Sequence, residues 1–143
     1  MKVLVTGAAG FIGSFVARRF LERGDEVVGL DNLNDYYDPA LKLARLARLE
    51  GQSGFRFTRL DLADASGMAT LFAQEKFQRV VHLGAQAGVR HSLKDPVTYA
   101  DINIMGTMNL LKLSVEYRIK NFVFWKSKIS SNERYLRCKS KFY

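Results

Sequence analysis

Residues 2–13 read KVLVTGAAGFIG, and the order of residue types in this stretch decides the fold. Lys2–Thr6 is a short, β-branched and apolar run, which is typical of a buried parallel strand. Glycines follow at positions 7, 10 and 13, and apolar side chains then recur at close to helical spacing over 11–23. A glycine turn between a strand and a helix is the pattern that binds the pyrophosphate of a dinucleotide. Taken alone, the same glycines would also suit a packing turn without a ligand.

Each glycine of this turn has its own expected role. Gly7 permits the tight turn, Gly10 lets the backbone approach a pyrophosphate, and Gly13 lets the helix pack closely on the strand. The N-terminus of the helix then offers N–H groups and a positive dipole end to the phosphates.

Asp31 ends the next predicted strand, Glu26–Asp31, and stands 18 residues after Gly13. An acidic residue at this place accepts hydrogen bonds from the adenosine ribose and repels a 2′-phosphate, which favours NAD over NADP. An aspartate at a strand end can also be a simple cap. Strand, glycine turn, helix, strand and acid in this order together predict an NAD site.

Strands and helices alternate along the rest of the chain. Further strands are predicted at 55–60, 79–83 and 120–124. Asp38 and Asp64 are expected to cap two further helices, and a third helix follows Asp95 and Pro96. The last of these helices is the longest, with apolar residues marking one face at Val97, Ala100, Ile104, Met108, Leu111 and Val115. The pattern predicts an α/β fold with a doubly wound, Rossmann-like parallel sheet, incomplete at its C-terminal side. We expect residues 1–124 to form an NAD-binding domain, and 125–143 to be an atypical basic tail that is no separate domain.

Three stretches carry a resemblance to a known family. TGAAGFIG (6–13) resembles the extended short-chain dehydrogenase/reductase family of NAD-dependent epimerases and dehydratases. DNLNDYYDPALK (31–42) and HLGAQAGVRHSLKDPVTYADINIMGTMNLL (82–111) resemble the UDP-glucuronate 4-epimerases within it. The resemblance covers about residues 1–124. It departs at Gly84, where Ala is expected, and at His91, where Tyr is expected.

The resemblance implies a set of NAD contacts. The pyrophosphate would be held by Gly7, Gly10, Phe11, Ile12 and Gly13. The adenosine ribose would be surrounded by Asp31, Asn32, Asn34 and Asp35, and adenine would be held by Asp61 and Leu62. The cofactor beyond the fourth strand would be lined by Leu83, Gly84, Ala85 and Gln86, with Asn103 near the nicotinamide ribose. Simpler readings stay open for three of them: Asp61 as a cap, Asn103 as a polar contact of its helix, and Leu83 as a core residue.

Arg90 and His91 follow the fourth strand, and only Arg90 is considered as a contact of the substrate. Arg90 would reach the diphosphate or carboxylate of the sugar nucleotide, although a solvated arginine is the simpler interpretation. His91 is interpreted as a surface residue of a loop rather than a catalyst.

The resemblance also implies the reaction, a reversible oxidation at the sugar 4-position. In the family, a Tyr with a Lys one helical turn away takes the proton of the 4-hydroxyl while hydride passes to NAD⁺. The keto intermediate rotates and is reduced on its other face, and a Ser or Thr past the fifth strand contacts the reacting oxygen. Here the sequence from Phe124 reads FWKSKISSN, in which Ser127 alone lines up with that Ser.

Tyr135 and Lys139 have the spacing of the catalytic pair, but we do not expect them to be that pair. Tyr135 comes eleven residues after Phe124, whereas the path from strand to catalytic Tyr takes about two dozen residues in such folds. Four of the last 18 residues are Lys, so the match is an ordinary coincidence. We therefore expect an N-terminal portion of an epimerase, altered by truncation or a shifted reading frame, without the substrate domain and without turnover.

The net charge of +8 is concentrated at the end of the chain. Residues 126–143 hold six Lys/Arg and one Glu, which is +5, and this leaves 16 basic and 13 acidic residues, or +3, in 1–125. A basic tail suggests nucleic-acid binding, and this function stays open as the least favoured alternative; because no base-reading motif accompanies the tail, a nucleic acid is not among the expected partners. A non-catalytic NAD-binding module stays open as an alternative to the enzyme. The expected partners are a UDP-sugar and a second copy of the chain, bound through an exposed sheet edge.

Cysteine, histidine and hydropathy set further bounds. Cys138 is the only cysteine, and His82 and His91 are the only histidines, so neither an internal disulfide nor a metal cluster is expected. No apolar run reaches the roughly 18 residues of a membrane span, and glycines interrupt the apolar N-terminus. These features predict a cytoplasmic protein.

Overall fold

The computed structural model describes residues 1–125, and five parallel strands form its centre. The strands are β1 (Lys2–Thr6), β2 (Glu26–Asp31), β3 (Phe55–Arg59), β4 (Arg79–His82) and β5 (Asn121–Phe124). They are hydrogen-bonded side by side in the order β3-β2-β1-β4-β5. β1 therefore lies in the middle, with Val3 opposite Val27 of β2 on one side and opposite Arg79 of β4 on the other.

Helices connect the strands. They are α1 (Phe11–Glu22), α2 (Pro39–Glu50), α3 (Ala65–Glu75), α4 (Val89–Ser92), α5 (Pro96–Tyr99) and α6 (Gly106–Glu116), with a π-helical segment (Ala100–Met105) between the last two. Asp38 and Asp64 cap α2 and α3 as predicted, because their carboxylates accept hydrogen bonds from Ala40 N at 2.8 Å and Gly67 N at 3.0 Å. Asp95 caps α5 by accepting from Thr98 N.

Both faces of the sheet are covered, and each has its own apolar core. Leu4 of β1 packs on one face with Met68 and Phe72 of α3 and Leu110 of α6. On the other face, Val3 and Val5 pack with residues of α1 and α2, such as Ala17, Leu21 and Leu49. Successive residues of β1 thus point into opposite cores. The doubly wound, Rossmann-like α/β fold that the sequence predicts is confirmed.

The chain winds outward from β1 in both directions, and this winding positions the site. β2 and β3 lie on one side of β1, and β4 and β5 lie on the other. The connections leaving β1 and β4 therefore diverge at the carboxyl ends of these two neighbouring strands. A crevice forms at such a switch point, and open α/β sheets bind their ligands there.

The longest predicted helix differs from the expectation in two ways. It is interrupted by the π-helical segment Ala100–Met105. The apolar face predicted from the sequence is also exposed, because Ile104, Met108 and Val115 are 61%, 55% and 65% accessible. α6 packs on the sheet with another side, which carries Gly106, Leu110 and Leu113. Gly106 allows this approach, since a Cβ there would lie 2.7 Å from Cβ of Leu62.

Candidate functional site

The glycine turn lies between the carboxyl ends of β1 and β4. Gly7 has a φ of +69°, and a Cβ added to it would lie 2.9 Å from Cα of Gly84. Gly13 packs so closely under the turn that its Cβ would lie 2.0 Å from the carbonyl oxygen of Gly7. The turn is closed by a 2.9 Å hydrogen bond from Gly10 N to Gly7 O. Backbone thus lies against backbone, and neither Gly7 nor Gly13 has room for a side chain.

A cavity opens beside this turn, above the carboxyl ends of the strands. Its empty volume, including space open to solvent, is about 670 Å³. The residues predicted from the sequence that line it are Gly7, Gly10, Asp31, Asn32, Asn34, Asp61, Leu62, Leu83, Gly84, Ala85 and Gln86. The structure therefore brings together residues that are far apart in the sequence.

The remaining predicted residues lie around the cavity rather than in its wall. Phe11 and Ile12 are exposed in the first turn of α1, and Gly13 is buried beneath them. Asp35 is exposed in the loop after β2. Asn103, in the π-helical segment, acts on the wall through Gln86, as described below.

Two further predictions concern α4. Arg90 is exposed in this short helix, outside the lining of the cavity. His91 was expected in a loop, but it is also in α4, exposed, with its ring centre 5.3 Å from that of Tyr36.

Asp31 holds the loops that form one end of the cavity. Its side chain is 8% exposed. One carboxylate oxygen accepts a hydrogen bond from Ala9 N in the glycine turn at 3.3 Å, and the other accepts from Leu33 N at 2.9 Å. Nζ of Lys42 lies 3.4 Å from the second oxygen. Asp31 therefore links the glycine turn, its own loop and α2.

Asp61 occupies the neighbouring position at the end of β3. Its Oδ2 accepts a hydrogen bond from Nδ2 of Asn32 at 2.9 Å, and its Oδ1 accepts from Ala63 N at 2.9 Å. The bond to Asn32 connects the ends of β2 and β3. The bond to Ala63 closes a local turn, whereas the cap of α3 is Asp64, and the same Asp61 side chain also faces the cavity.

Asn103 fixes the loop after β4. Its Oδ1 accepts a hydrogen bond from Gln86 N at 2.8 Å, and its Nδ2 donates to Gln86 O at 3.0 Å. The side chain of Gln86 in turn accepts from Nδ2 of Asn34 at 3.1 Å. A chain of amides therefore runs from the π-helical segment through the loop after β4 to the loop after β2. A π-helical segment at such a position is common near functional sites.

His82 does not line the cavity but supports the residues behind its wall, a role that the sequence did not reveal. It is 1% exposed at the end of β4, with Nδ1 2.8 Å from Oγ1 of Thr6 and Nε2 3.0 Å from Oγ1 of Thr107. The Thr6 hydroxyl already accepts from the backbone N–H groups of Leu83 and Gly84, so its proton is donated to Nδ1 of His82. This network assigns the ring proton to Nε2, which donates to Thr107. The Thr107 hydroxyl donates onward to Asn103 O at 2.7 Å.

Burial determines the charge state of His82. Desolvation lowers the pKa of His82 from 6.5 to about 4, so the ring is neutral at physiological pH. A neutral ring fits the network, because Nδ1 must accept a hydrogen bond from Thr6 while Nε2 donates one. His82 therefore connects β1, β4 and the residue that fixes the cavity wall.

The sequence contained signals for some of the residues that were missed. Lys42 lies on the buried stripe of α2 together with Leu46 and Leu49, so a lysine stands where the helical pattern calls for an apolar residue. Tyr36 and Tyr37, which also line the cavity, directly follow the predicted ribose residues. His82 ends an apolar strand. This position alone does not show whether a residue is only packed in the core or also takes part in a hydrogen-bond network. Leu30, Leu60 and Ile102 give no signal beyond their apolar character.

The predictions about catalytic chemistry lie outside the described residues. Ser127, Tyr135 and Lys139 all fall in 126–143. Within 1–125, no helix is long and apolar enough to cross a membrane.

A doubly wound sheet with a glycine turn after its first strand and an acid at the end of its second defines a Rossmann-like protein. The family model described as GDP-mannose 4,6 dehydratase matches residues 4–139, and the chain belongs to this family. The extended short-chain dehydrogenase/reductase resemblance drawn from the three sequence stretches is thereby confirmed.

Curated relatives point to one branch of the family. The chain is 46% identical over 130 residues to UDP-glucuronate 4-epimerase 4 of Arabidopsis thaliana, covering 91% of this chain and 30% of that protein. It is 45% identical over 120 residues to UDP-glucuronate 4-epimerase of Thermodesulfobacterium geofontis, covering 84% and 37%. A 37.6 kDa uncharacterized protein of Escherichia coli O111:H- is 51% identical over 124 residues, covering 87% and 37%. The chain thus spans about a third of the length of these relatives.

Solved structures of two UDP-sugar 4-epimerases are also similar to this chain. UDP-glucuronic acid 4-epimerase from Bacillus cereus, in complex with UDP-glucuronic acid and NAD, superposes with a TM-score of 0.79 at 35% identity, over 92% of this chain and 44% of that one. UDP-glucose 4-epimerase from Thermus thermophilus, in complex with NAD, gives a TM-score of 0.73 at 39% identity, over 87% and 37%.

Proposed function

We propose that this chain is the NAD-binding portion of a nucleotide-sugar 4-epimerase of the kind that acts on UDP-glucuronate. The observation that carries the proposal is the cavity at the carboxyl ends of the strands, where the glycine turn, Asp31 and the Gln86 loop meet. The epimerases that resemble the chain support the choice of cofactor and of substrate class.

The residues of the cavity fit the parts of NAD in order. The glycine turn and the N-terminus of α1 would hold the pyrophosphate through backbone N–H groups. Asp31 would accept from a ribose hydroxyl, since its two oxygens have about four lone-pair positions and the protein uses three. Asp61 and Leu62 would face adenine, and the loop 83–86, fixed by Asn103, would face the nicotinamide half.

NAD⁺ supplies the hydride acceptor for the reversible oxidation of the sugar 4-hydroxyl when it is bound. What the described residues contribute is position. The network of His82, Thr107 and Asn103 fixes the loop on the nicotinamide side, and Asp31 fixes the glycine turn. Arg90, exposed in α4, would reach toward the UDP-sugar. Transfer of the hydroxyl proton requires a Tyr/Lys pair, which we do not assign to Tyr135 and Lys139, and a cytoplasmic location stays a prediction.

The proposal is tested by calorimetric titration of the whole chain with NAD⁺. Asp31→Ala removes the carboxylate at the ribose, and we expect it to weaken NAD⁺ binding by about tenfold or more, because a hydrogen bond to a charged group is lost. Glu50→Ala, which removes an exposed acid at the end of α2, is the matched control and should leave the dissociation constant unchanged. Failure of the folded wild type to bind NAD⁺, or equal affinities in Asp31→Ala and wild type, would contradict the proposal.

A second measurement concerns turnover. We expect the purified chain not to interconvert UDP-glucuronate and UDP-galacturonate in the presence of NAD⁺. Turnover that is abolished in Tyr135→Phe would show that Tyr135 is catalytic and that our assignment of the tail is wrong. Turnover that persists in this variant would place the proton transfer on another residue.

A further inference from the structure

Lys42 is a buried charge at the place where the adenosine ribose would bind. It lies near the start of α2, and its side chain is 9% exposed. Its Nζ donates to Oδ1 of Asn34 at 2.7 Å and lies 3.4 Å from Oδ1 of Asp31. Lysines are almost never this buried unless a partner offsets the cost of desolvation.

The ammonium group faces the same cavity as its partners. Lys42, Asp31 and Asn34 all line it. An ammonium has three N–H donors, and among the described residues two acceptors are provided for them. Lys42 can therefore contact a group on the ribose without giving up a protein partner.

The pair changes the electrostatics of the ribose position. A lone carboxylate would repel a 2′-phosphate, which carries between one and two negative charges. With the Lys42 ammonium beside Asp31, the two charges offset each other over the distance at which that phosphate would approach. Arg59 is another cation nearby, and its guanidinium donates to Asn32 O from an exposed position, where solvent screens it more strongly.

We propose that Lys42 determines nucleotide specificity together with Asp31, an inference that rests on the proposed NAD site. Asp31 sets the preference for NAD⁺ over NADP⁺. Lys42 reduces this preference by supplying a positive charge toward the ribose 2′ position. The ratio of the NADP⁺ to the NAD⁺ dissociation constant therefore depends on both side chains and not on the acid alone. A chain that loses Lys42 should therefore discriminate more strongly against NADP⁺.

A purely structural role makes a different prediction. If Lys42 served only to hold the loop after β2 through Asn34, its removal would weaken NAD⁺ and NADP⁺ by the same factor. The ratio of the two dissociation constants separates the two roles, because loop disorder cancels from it and charge at the 2′ position does not.

The test is a titration of wild type and variants with NAD⁺ and NADP⁺, at low and at physiological salt. For Lys42→Met, which keeps length and removes charge, we expect the ratio of the NADP⁺ to the NAD⁺ dissociation constant to rise about tenfold. Asp31→Asn should lower the ratio, and Lys42→Arg should keep it near that of wild type. Lys112→Met, an exposed lysine of α6, is the matched control and should change nothing. Lys42→Gln replaces Lys42→Met if the latter does not fold.

The outcomes are distinct. A ratio that rises in Lys42→Met but not in Lys112→Met, and rises less at physiological salt than at low salt, supports the inference. An unchanged ratio with both affinities reduced overturns it and leaves the NAD site standing. A folded wild type that binds neither cofactor overturns both the inference and the proposed function.

Discussion

At the amino ends of the strands, the buried Glu75 is held by Lys2 and Arg56, whereas at the carboxyl ends the buried Asp31 is held by Lys42 and two backbone N–H groups. Asp25, also at the amino ends, is paired in the same way as Glu75, with Arg23 and the amino group of Met1. The side chains of Asp25 and Glu75 are 6% exposed and that of Asp31 is 8%. Burial is thus nearly equal at the two ends of the strands, which we call the amino edge and the carboxyl edge of the sheet. The difference lies in the groups that pair with the carboxylates.

The amino edge uses long cationic side chains that reach over the carboxylates from the surface. Lys2 is 32% and Arg56 is 57% exposed, so their charges stay partly in water. The carboxyl edge uses the backbone N–H groups of Ala9 and Leu33 together with the buried Lys42, and an open cavity lies beside the acid. The buried acids at the amino edge are thus neutralised by cations at the surface, whereas Asp31 at the carboxyl edge lines an open cavity, as the proposed NAD site requires. Substitutions at the two edges should therefore have separable effects.

The largest effect is expected at the base of the glycine turn. Gly13→Ala places a Cβ 2.0 Å from the carbonyl oxygen of Gly7, so the turn must open or α1 must shift. We expect the free energy of unfolding to fall by about 3 kcal/mol or more in urea denaturation. Gly51→Ala is the control, since its Cβ meets nothing within 4 Å and its φ is −76°. Equal stability of the two variants would show that the turn is not packed as described.

The next effect concerns pH. Because the pKa of His82 is about 4 in the folded chain and 6.5 ordinarily, the unfolded chain binds more protons between these values. Above pH 6.5, His82 is neutral in the folded and the unfolded chain, and the free energy of unfolding has its full value. As the pH falls toward 4, the unfolded chain binds a proton that the folded chain does not, and the free energy of unfolding decreases. The total loss is on the order of 3 kcal/mol.

Urea denaturation between pH 7 and 4 measures this loss. His82→Gln cannot titrate, so we expect its stability to fall less steeply than that of wild type over this range. His91 remains in both proteins and cancels from the difference. Parallel pH profiles would mean that His82 is not held neutral by burial.

A smaller effect is expected at the amino edge. Glu75→Gln removes a buried charge whose two cationic partners are partly solvated, and we expect a loss of about 1–2 kcal/mol of stability. The NAD⁺ dissociation constant should stay within about twofold of wild type, because Glu75 is at the other edge of the sheet. A large change in NAD⁺ affinity would remove the distinction between the two edges.

The smallest effect on stability is expected at the outer edge of the sheet. Val123 is 50% exposed in β5, which in the described sheet pairs with β4 alone. Val123→Lys should change stability by less than about 0.5 kcal/mol, yet reduce self-association in sedimentation, since a charge on an edge strand opposes pairing. Val115→Lys is the comparison, because Val115 is 65% exposed on α6. Relief by Val115→Lys alone would place the contact on α6 rather than on the strand edge.

Local patterns in the sequence predicted most of the fold. The strands Lys2–Thr6 and Glu26–Asp31 and the caps Asp38 and Asp64 occur as predicted, because each depends on neighbours within one turn or one strand. The exposed face of α6 was misleading for a physical reason. Periodicity shows that a helix has an apolar face, but the direction of packing depends on the close approach at Gly106.

The site was predictable only in part. The glycine turn and Asp31 form a local motif, and the resemblance added the loop after β4. Lys42, His82 and the π-helical segment depend on contacts between distant segments, such as the bonds of Asn103 to Gln86 over 17 residues. A sequence pattern within one segment does not predict a hydrogen bond between two distant segments. For Lys42, its place on the buried stripe of α2 was a usable signal.

Backbone amide NMR during titration of the whole chain with NAD⁺ tests whether the carboxyl edge of the sheet is the NAD site. We expect the amides of 7–13, 31–34 and 83–86 to shift with a single dissociation constant. The amides of Asp25 and Glu75, at the opposite edge, should not move. Shifts that centre on the amino edge, or that leave the glycine turn unchanged at saturation, would contradict the account.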